Sequence, residues 1–326
     1  MHIAVVGATG AVGRTMLEVL AERALPVDKL TLLASPKSVG KRLHWKGEDC
    51  MVAAPEEGCF RGVDVALFSA GAERSRELAP KAVEEGAIVV DNSSAWRMDP
   101  EVPLVVPEVN ASAIGERPKG IIANPNCSTI QTVIALKPLH QAAGLRRVVV
   151  TTFQSVSGAG EQGRERLRTE AAGEPFEPGP FARPISGNVL PKIGDFDAEG
   201  WTTEERKMAN ETRKILGLPD LAVSATCVRV PVDVGHAVQV MVELEKDLTM
   251  AEAYRALAVF PGTRIGENPE DFPTPLEVAG NDTVFVGRLR LDADLPRVLH
   301  LWVVADNLRK GAATNAVQIV ERIAGG

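Results

Sequence analysis

The length and composition of the chain predict a globular protein with two domains. Its 326 residues exceed the size at which a single hydrophobic core usually stops growing. Hydrophobic residues make up 45% and charged residues 24%, a balance that excludes a disordered or fibrous chain. The formal net charge of -7 argues against nucleic-acid or anionic-membrane binding, because an acidic surface repels both. An anionic substrate would therefore require a locally basic pocket.

The start of the chain and its cysteines indicate a cytoplasmic protein. An apolar run begins at Ile3, so there is no basic segment followed by the long apolar core of a secretory signal. No stretch reaches membrane-spanning length. The four cysteines include no close pair, which favours a reducing compartment over a disulfide framework or a zinc site. We therefore expect no metal.

The first third of the chain alternates short apolar runs with helical patterns. Strands are predicted at residues 3–6, 30–34, 63–68 and 88–90, and helices at 11–23 and 72–85. Residues 121–123 extend the apolar pattern. This alternation predicts an α/β domain with a Rossmann-like, doubly wound parallel sheet.

The second part of the chain has a different rhythm. A helix should run from Cys127 to Ala143 and end at Gly144, followed by a strand at 148–153 and a helix at 202–216. The remaining strands are predicted at 221–230, 237–244, 283–291 and 298–305. Because few crossover helices separate them, we expect a second, α+β domain with a mixed or antiparallel sheet.

A glycine-rich turn joins the first strand to the first helix, with the sequence GATGAVG at residues 7–13. Glycines there bring backbone N–H groups close to a pyrophosphate, and the helix start adds partial positive charge. The predicted cofactor contacts are Gly7, Thr9, Gly10, Ala11 and Val12. The same glycines also suit a simple strand-to-helix turn. The Gly-x-x-Gly-x-x-Gly spacing does not by itself distinguish a dehydrogenase from another nucleotide-binding protein.

The end of the second strand favours NADP over NAD. An NAD site usually has an acidic residue there for the ribose 2′-hydroxyl, whereas this chain has Ser35, Lys37 and Ser38. A cation and hydroxyl groups suit a 2′-phosphate. We predict that Lys37 and Ser38 contact it, although an ordinary solvated loop can have the same composition.

Cys127 stands at the predicted start of a helix, with Asn126 available as its N-cap. The field of the helix favours the thiolate there. A lone cysteine is more often a small buried apolar residue. The polar surroundings of Cys127, next to a nucleotide domain, favour a nucleophile instead, whereas the other three cysteines are interpreted as structural.

The chain resembles the aspartate-β-semialdehyde dehydrogenase family, in its compact bacterial form. Four segments in the same order carry the resemblance: GATGAVG at 7–13, NPNC at 124–127, QSVSGAG at 154–160 and RVPVDVGH at 229–236. The resemblance implies that Cys127 is the nucleophile, His236 the acid/base residue, and Gln154 the residue that orients the substrate. His236 is also the only histidine in a glycine-containing turn after a strand.

The resemblance also implies the binding residues. Arg97 and Lys207 correspond to phosphate-binding residues, and Arg229 to the residue that grips the substrate carboxylate. Glu204 lies on the same predicted helix face as Lys207 and would receive the substrate ammonium or position Arg229. Ser157, Gly158 and Asn315 are implied as further cofactor contacts. For any one of these charged side chains, a solvated surface position is the ordinary alternative.

The implied reaction is the NADPH-dependent reductive dephosphorylation of L-aspartyl-4-phosphate to L-aspartate 4-semialdehyde, in the biosynthesis of lysine, methionine and threonine. It runs through a thioester on Cys127 and releases inorganic phosphate. Two alternatives stay open: an N-acetyl-γ-glutamyl-phosphate reductase, and a catalytically silent dinucleotide-binding protein.

The same resemblance, with the apolar stripe of residues 307–323, predicts that the last helix returns to the first domain. The cofactor domain then comprises residues 1–126 and 307–326, and the catalytic domain residues 127–306. We expect a homodimer or a dimer of dimers built through the second domain.

Overall fold

A computed structural model describes residues 1–177 and 179–325 of the chain; Gly326, the last residue of the predicted cofactor domain, and Pro178 lie outside this description. The chain divides into two compact units. Unit 1 comprises Met1–Pro125 together with the C-terminal segment from Ala312, and unit 2 comprises Asn126–Gly311. No helix of the described residues is long and apolar enough to cross a membrane.

The helices, in chain order, are α1 (Ala11–Glu22), α2 (Ala72–Glu84), α3 (Pro107–Asn110), α4 (Cys127–Ala143), α5 (Gly160–Ala171), α6 (Thr203–Leu216), α7 (Met250–Ala258), α8 (Pro275–Val278) and α9 (Thr314–Gly325). A short π-helix, Arg309–Ala313, directly precedes α9. The predicted helices correspond to α1, α2, α4, α6 and α9. The strongly charged α5, in which only Gly163 is buried, was not predicted because it has no apolar stripe.

The described residues of unit 1 form a seven-stranded sheet in the order β3-β4-β2-β1-β5-β6-β7. Its strands are β1 (His2–Val6), β2 (Lys29–Leu33), β3 (Arg42–Trp45), β4 (Glu48–Ala53), β5 (Val65–Phe68), β6 (Ile88–Asp91) and β7 (Ile121–Ala123). All neighbouring pairs are parallel except β3 and β4. The predicted doubly wound parallel sheet is confirmed, and β1 lies where the strand order reverses.

The antiparallel edge hairpin formed by β3 and β4 was missed from the sequence. Lys46 and Gly47 connect its strands, and both have positive φ, 46° and 88°. Two such residues make the tight turn that suits the right-handed twist of a hairpin. The sequence signal was weak because β3 has only four residues and because, in both strands, only Val52 is buried.

The described residues of unit 2 form a six-stranded mixed sheet in the order β11-β12-β13-β10-β8-β9. Its strands are β8 (Leu145–Gln154), β9 (Ala222–Arg229), β10 (His236–Leu244), β11 (Thr263–Ile265), β12 (Val284–Leu291) and β13 (Val298–Ala305). The central pairs, β8–β10 and β10–β13, are antiparallel, whereas β8–β9 is parallel. The predicted mixed sheet is confirmed.

The long helix α4 packs along β8, β10 and β13 and covers one face of this sheet. Alternate residues of the strands, such as Val150 and Val240, are fully buried. The residues between them, including Val149 and Met241, are only partly buried. The face opposite α4 is therefore incompletely covered within one chain.

The C-terminal helix α9 belongs to unit 1, where it packs against α1. Ala316 and Ile319 are fully buried in the same apolar cluster as Leu20 and Val5. The bidentate ion pair from Arg23 to Glu321 joins the two helices at their ends. The hydrophobic core of unit 1 therefore contains residues from both ends of the chain.

We predict that Ile319→Ala lowers the free energy of unfolding by about 2–5 kcal/mol, because it opens a cavity in this closed core. Met51→Ala removes a similarly large side chain that is 64% exposed and should change stability by less than about 0.5 kcal/mol. Denaturant unfolding of both variants measures the difference. An equal decrease in the free energy of unfolding for both variants would show that Ile319 of α9 does not stabilise the core of unit 1.

Candidate functional site

In unit 1, the carboxyl end of β1 turns into α1 through the glycine segment. The amides of Gly7 and Ala8 donate to the carbonyl oxygen of Leu33, at 2.8 and 3.2 Å. A Cβ on Gly13 would lie 2.2 Å from the Gly7 carbonyl oxygen, so only glycine fits there. Gly10 caps α1 without a side chain, and the first turn contains no acidic residue. This geometry leaves an anion-binding helix start.

The loop after β2 reaches this turn. Residues Pro36–Ser38 form a single 3-10 turn, and the Thr9 hydroxyl donates to Ser38 Oγ at 3.2 Å. Ser38 is buried, whereas Lys37 is exposed beside it. The glycine turn, predicted to bind the pyrophosphate, and the loop with Lys37 and Ser38, predicted to bind the 2′-phosphate, are therefore adjacent in unit 1.

Arg97 and Asn315 are also buried in unit 1. Arg97 Nε donates to the Asn124 carbonyl oxygen at 3.0 Å and Nη2 donates to that of Asn92 at 2.9 Å. Asn315 Nδ2 donates to Val105 O at 2.9 Å and to Asn124 Oδ1 at 2.7 Å. Both side chains therefore fix the segment that precedes Cys127, and the ligand contacts predicted for them stay predictions.

In unit 2, Cys127 is the first residue of α4. The predicted N-cap is present, because Asn126 Oδ1 accepts hydrogen bonds from the amides of Ser128 and Thr129 at 3.0 and 3.2 Å. A Cβ on Gly311 would lie 3.0 Å from the Cβ of Cys127. The thiol is partly exposed at the positive end of a capped helix, which favours its ionised form.

Glu204 is hydrogen-bonded to two other predicted site residues, Gln154 and Lys207, and to the N-cap residue Asn126. Its Oε1 accepts from Asn126 Nδ2 at 2.7 Å and from Gln154 Nε2 at 3.2 Å, and its Oε2 accepts from Lys207 Nζ at 3.1 Å. Burial raises the pKa of this carboxyl, but the Lys207 charge and the three hydrogen bonds outweigh it and hold the pKa below its ordinary value. Glu204 is therefore a buried anion.

Two further buried carboxylates of α6 were missed from the sequence. Glu211 Oε2 accepts from the backbone amide of Asn126 at 2.7 Å, and Glu205 Oε1 accepts from the amide of Cys227 at 3.1 Å. The burial of Glu211 could have been predicted from its helical spacing, because residues 204, 208, 211 and 215 form the buried stripe of the helix. Carboxylates inside an apolar stripe indicate buried partners.

Arg229 ends β9 beside Gln154, which ends β8. Its Nη1 donates to the Ser155 carbonyl oxygen at 2.7 Å, and its guanidinium lies 5.8 Å from the ring centre of Phe181. Burial lowers the pKa of this guanidinium, and the nearby Cys127 and Glu204 oppose that shift. Arg229 is thus a largely desolvated cation near the thiol.

His236 begins β10 and is completely buried. Its Nδ1 accepts from the backbone amide of Ser155 at 3.1 Å. Its buried Nε2 has no hydrogen-bond partner in the described part of the chain and faces Gly158, where an added Cβ would lie 3.2 Å away. Burial, followed by the charge of Arg229, lowers the pKa of His236 to about 3. The ring is neutral at physiological pH.

Ser157, the other predicted cofactor contact in unit 2, lies in the 3-10 turn Val156–Ala159 with Gly158 and is buried. The structure therefore gathers Cys127, Gln154, Glu204, Lys207, Arg229 and His236 in unit 2. Among residues 1–177 and 179–325, no group of histidine, cysteine or acidic residues could hold a metal ion. A thiol, a neutral imidazole and a buried guanidinium suit covalent chemistry at a carbonyl carbon.

Comparison with known proteins agrees with this arrangement. Residues 2–117 match the family model "Semialdehyde dehydrogenase, NAD binding domain", and residues 136–310 match "Semialdehyde dehydrogenase, dimerisation domain". The aspartate-semialdehyde dehydrogenase of Aquifex aeolicus is 52% identical over 98% of this chain and 97% of its own.

Two solved structures are similar over almost the whole chain. Aspartate semialdehyde dehydrogenase II of Vibrio cholerae, complexed with ASA, is 48% identical with a TM-score of 0.96 over 99% of this chain and 98% of that one. The Candida albicans enzyme with NADP is 26% identical with a TM-score of 0.77, also over 99% and 98%.

We predict that iodoacetamide at neutral pH alkylates Cys127 first. Burial and nearby acidic residues raise the pKa of the Cys50 and Cys59 thiols, and burial raises that of Cys227 to about 12. Only Cys127 lies at a helix start. Peptide mapping over time measures the order, and earlier labelling of any other cysteine would contradict this account of the thiol.

Proposed function

Because the chain belongs to the aspartate-semialdehyde dehydrogenase family, we propose that it reduces L-aspartyl-4-phosphate to L-aspartate 4-semialdehyde and releases inorganic phosphate. The pathway role that follows is the biosynthesis of lysine, methionine and threonine. The observation that carries the proposal is the Cys127 thiol at the capped start of α4, which interacts with the charge of the buried Arg229, itself near the neutral His236.

The Cys127 thiolate attacks the β-carbonyl carbon of the acyl phosphate, and the bond from that carbon to the bridging oxygen breaks. Phosphate leaves with the electron pair and takes a proton from solvent, which leaves a thioester on Cys127. NADPH, when bound, supplies the hydride that reduces this thioester carbon. His236 donates from Nε2 to the resulting oxyanion, and expulsion of the Cys127 thiolate releases the semialdehyde.

Different charged residues are proposed to bind different groups of the substrate. Arg229 presents a desolvated guanidinium, which suits the α-carboxylate because a planar fork forms two parallel hydrogen bonds. Lys207 is partly exposed and suits a phosphate as a point charge. Arg97 is assigned to phosphate on the resemblance alone. Gln154, hydrogen-bonded to Glu204, orients the acyl group.

Glu204 favours this substrate over N-acetyl-γ-glutamyl phosphate. Its carboxylate stays ionised although it is buried, since Lys207 and three hydrogen bonds hold its pKa down. A free α-ammonium benefits from that negative charge, whereas an acylated amine is neutral. The intact nucleophile and histidine argue against the catalytically silent alternative.

NADP is the proposed cofactor. The open start of α1 suits its pyrophosphate, in contact with Gly7, Gly10, Ala11 and Val12. Thr9, Lys37 and Ser38 suit the 2′-phosphate, and the Candida albicans relative was solved with NADP. Ser157, Gly158 and Asn315 remain proposed contacts on the resemblance alone. A cytoplasmic location is part of the same proposal.

We predict phosphate-dependent NADP reduction with aspartate semialdehyde and none with N-acetylglutamate semialdehyde. Cys127→Ala should abolish turnover in both directions while NADP affinity stays within about twofold, because the cofactor phosphates rest on unit 1. Cys50→Ala, which removes a thiol outside the site, is the matched control. Substantial turnover by Cys127→Ala would exclude the thioester mechanism, and preference for the acetylated substrate would favour the reductase alternative.

We further propose that the chain forms a homodimer through the open face of the unit 2 sheet, the face opposite α4. It carries Val149, Thr151, Gln239, Met241 and His300, all partly buried in one chain. The matching family model is described as a dimerisation domain. The apolar side chains on such a partly polar sheet face are removed from water when a second copy covers it. A dimer of two such dimers is compatible with this contact.

Met241→Glu is expected to convert the dimer to monomers, because removing the charge of a carboxylate from water in the contact between two copies is costly. Val259→Glu places the same charge at a position that is 77% exposed and should leave the mass unchanged. Light scattering at several concentrations distinguishes the two. A dimeric Met241→Glu protein would place the contact elsewhere.

A further inference from the structure

Asn307, directly after β13, has no role in the reaction as described so far, yet it is buried at the centre of the hydrogen bonds around His236. Its Oδ1 accepts from the backbone amide of Gly235 at 2.9 Å. A backbone N–H can only donate, so this contact identifies the oxygen of the amide unambiguously. Ser155 Oγ lies 3.1 Å from Oδ1, and Nδ2 donates to Ser157 Oγ at 3.0 Å.

The same reasoning fixes the proton on His236. The amide of Ser155 donates to Nδ1 at 3.1 Å, so Nδ1 must present a lone pair. Ser157 Oγ accepts from Asn307 Nδ2 and lies 2.9 Å from Ser155 Oγ, so its own proton goes to Ser155 and the Ser155 hydroxyl donates to Nδ1 at 3.0 Å. The proton of the neutral ring is therefore on Nε2, and a second proton on Nδ1 would point at the Ser155 amide hydrogen.

We propose that Asn307 is a positioning residue that, through Ser155, Ser157 and Gly235, holds His236 as the neutral Nε2–H tautomer, so that His236 acts as a hydrogen-bond donor and not as an imidazolium acid. The tautomer depends only on these contacts. That the donor serves the oxyanion of the Cys127 intermediate rests on the proposed function.

The proton balance of the reduction agrees with this role. Hydride addition to the thioester gives an oxyanion, and loss of the thiolate from it gives the aldehyde, so neither step consumes a proton. A neutral donor stabilises the oxyanion without transferring its proton permanently. An imidazolium is not required.

The charges around the ring favour the neutral form as well. Burial and the charge of Arg229, on β9, lower the pKa of His236. Glu204, on α6, and a backbone hydrogen bond with Gly235 raise it by less. The contacts from the segment after β8 come from the uncharged Ser155 and Gly158. The contacts through Asn307 are uncharged too.

The test is nitrogen-detected NMR of the full-length chain with ¹⁵N-labelled histidine, with and without NADP, and His236→Gln assigns the signal. The wild-type ring should remain the neutral Nε2–H tautomer from about pH 5.5 to 8, against the ordinary histidine pKa near 6.5. Asn307→Ala should give mixed tautomers and lower kcat about 10- to 100-fold, with KM changed by less than about threefold.

Asn307→Asp supplies a second, sharper variant. A carboxylate still accepts from Gly235, but its charge favours the imidazolium, so the ring should titrate within this pH range. Because the imidazolium keeps its proton on Nε2, the readout of this variant is the titration of the ring by NMR and not kcat. Asn268→Ala, at an exposed asparagine of the same unit, should leave the His236 signal and kcat unchanged.

A wild-type ring that titrates between pH 5.5 and 7.5, or that carries its proton on Nδ1, would overturn the proposal. An unchanged tautomer and kcat in Asn307→Ala would do so too. The NMR signal requires no substrate, so failure of the proposed reaction with the predicted tautomer intact would overturn the function and not the role of Asn307.

Discussion

The site of unit 2 depends on the way that Asn126 is held between two buried carboxylates of α6. Glu204 accepts from its side chain and Glu211 from its backbone amide, both at 2.7 Å. A buried carboxylate is costly unless it is paired, so these contacts oppose any shift of α4 relative to α6. Because Asn126 also caps α4, the position of the first helical residue, Cys127, follows from them.

This constraint separates Cys127 from the other buried thiol near it. Cys227 lies within β9, where burial raises its pKa to about 12. Cys127 has the capped helix start and interacts with the charge of Arg229. The two cysteines of one unit are therefore expected to differ in reactivity, because Cys227 is buried and Cys127 is partly exposed at a helix start. Lys207 on α6 balances the charge of Glu204 at its other oxygen.

Much of this arrangement was predictable because local signals identify it. Gly10 and Gly13 require a close turn after β1, and Asn126 and Gly144 mark the two ends of α4. These signals depend on a few neighbouring residues, so the sequence alone contains them.

Other features depend on distant residues and were not predicted. Asn307 contacts Ser155, 152 residues away, and no periodicity in the sequence relates the two. The role of Glu211 follows only when α6 and α4 are packed together. The strands of the β3 and β4 hairpin are mostly exposed, and the apolar alternation of Leu43 and Trp45 in β3 is too short to identify a strand.

The proposed reaction requires that the reacting acyl group is bonded to Cys127. The direct measurement is mass spectrometry of the acid-quenched protein after mixing with aspartate semialdehyde and NADP in phosphate-free buffer. Oxidation should then stop at the thioester. The acyl group is expected on the peptide that contains Cys127. This acyl group should be lost when phosphate is added before quenching. An acyl group on Cys50, Cys59 or Cys227, or turnover with no adduct on Cys127, would contradict the account.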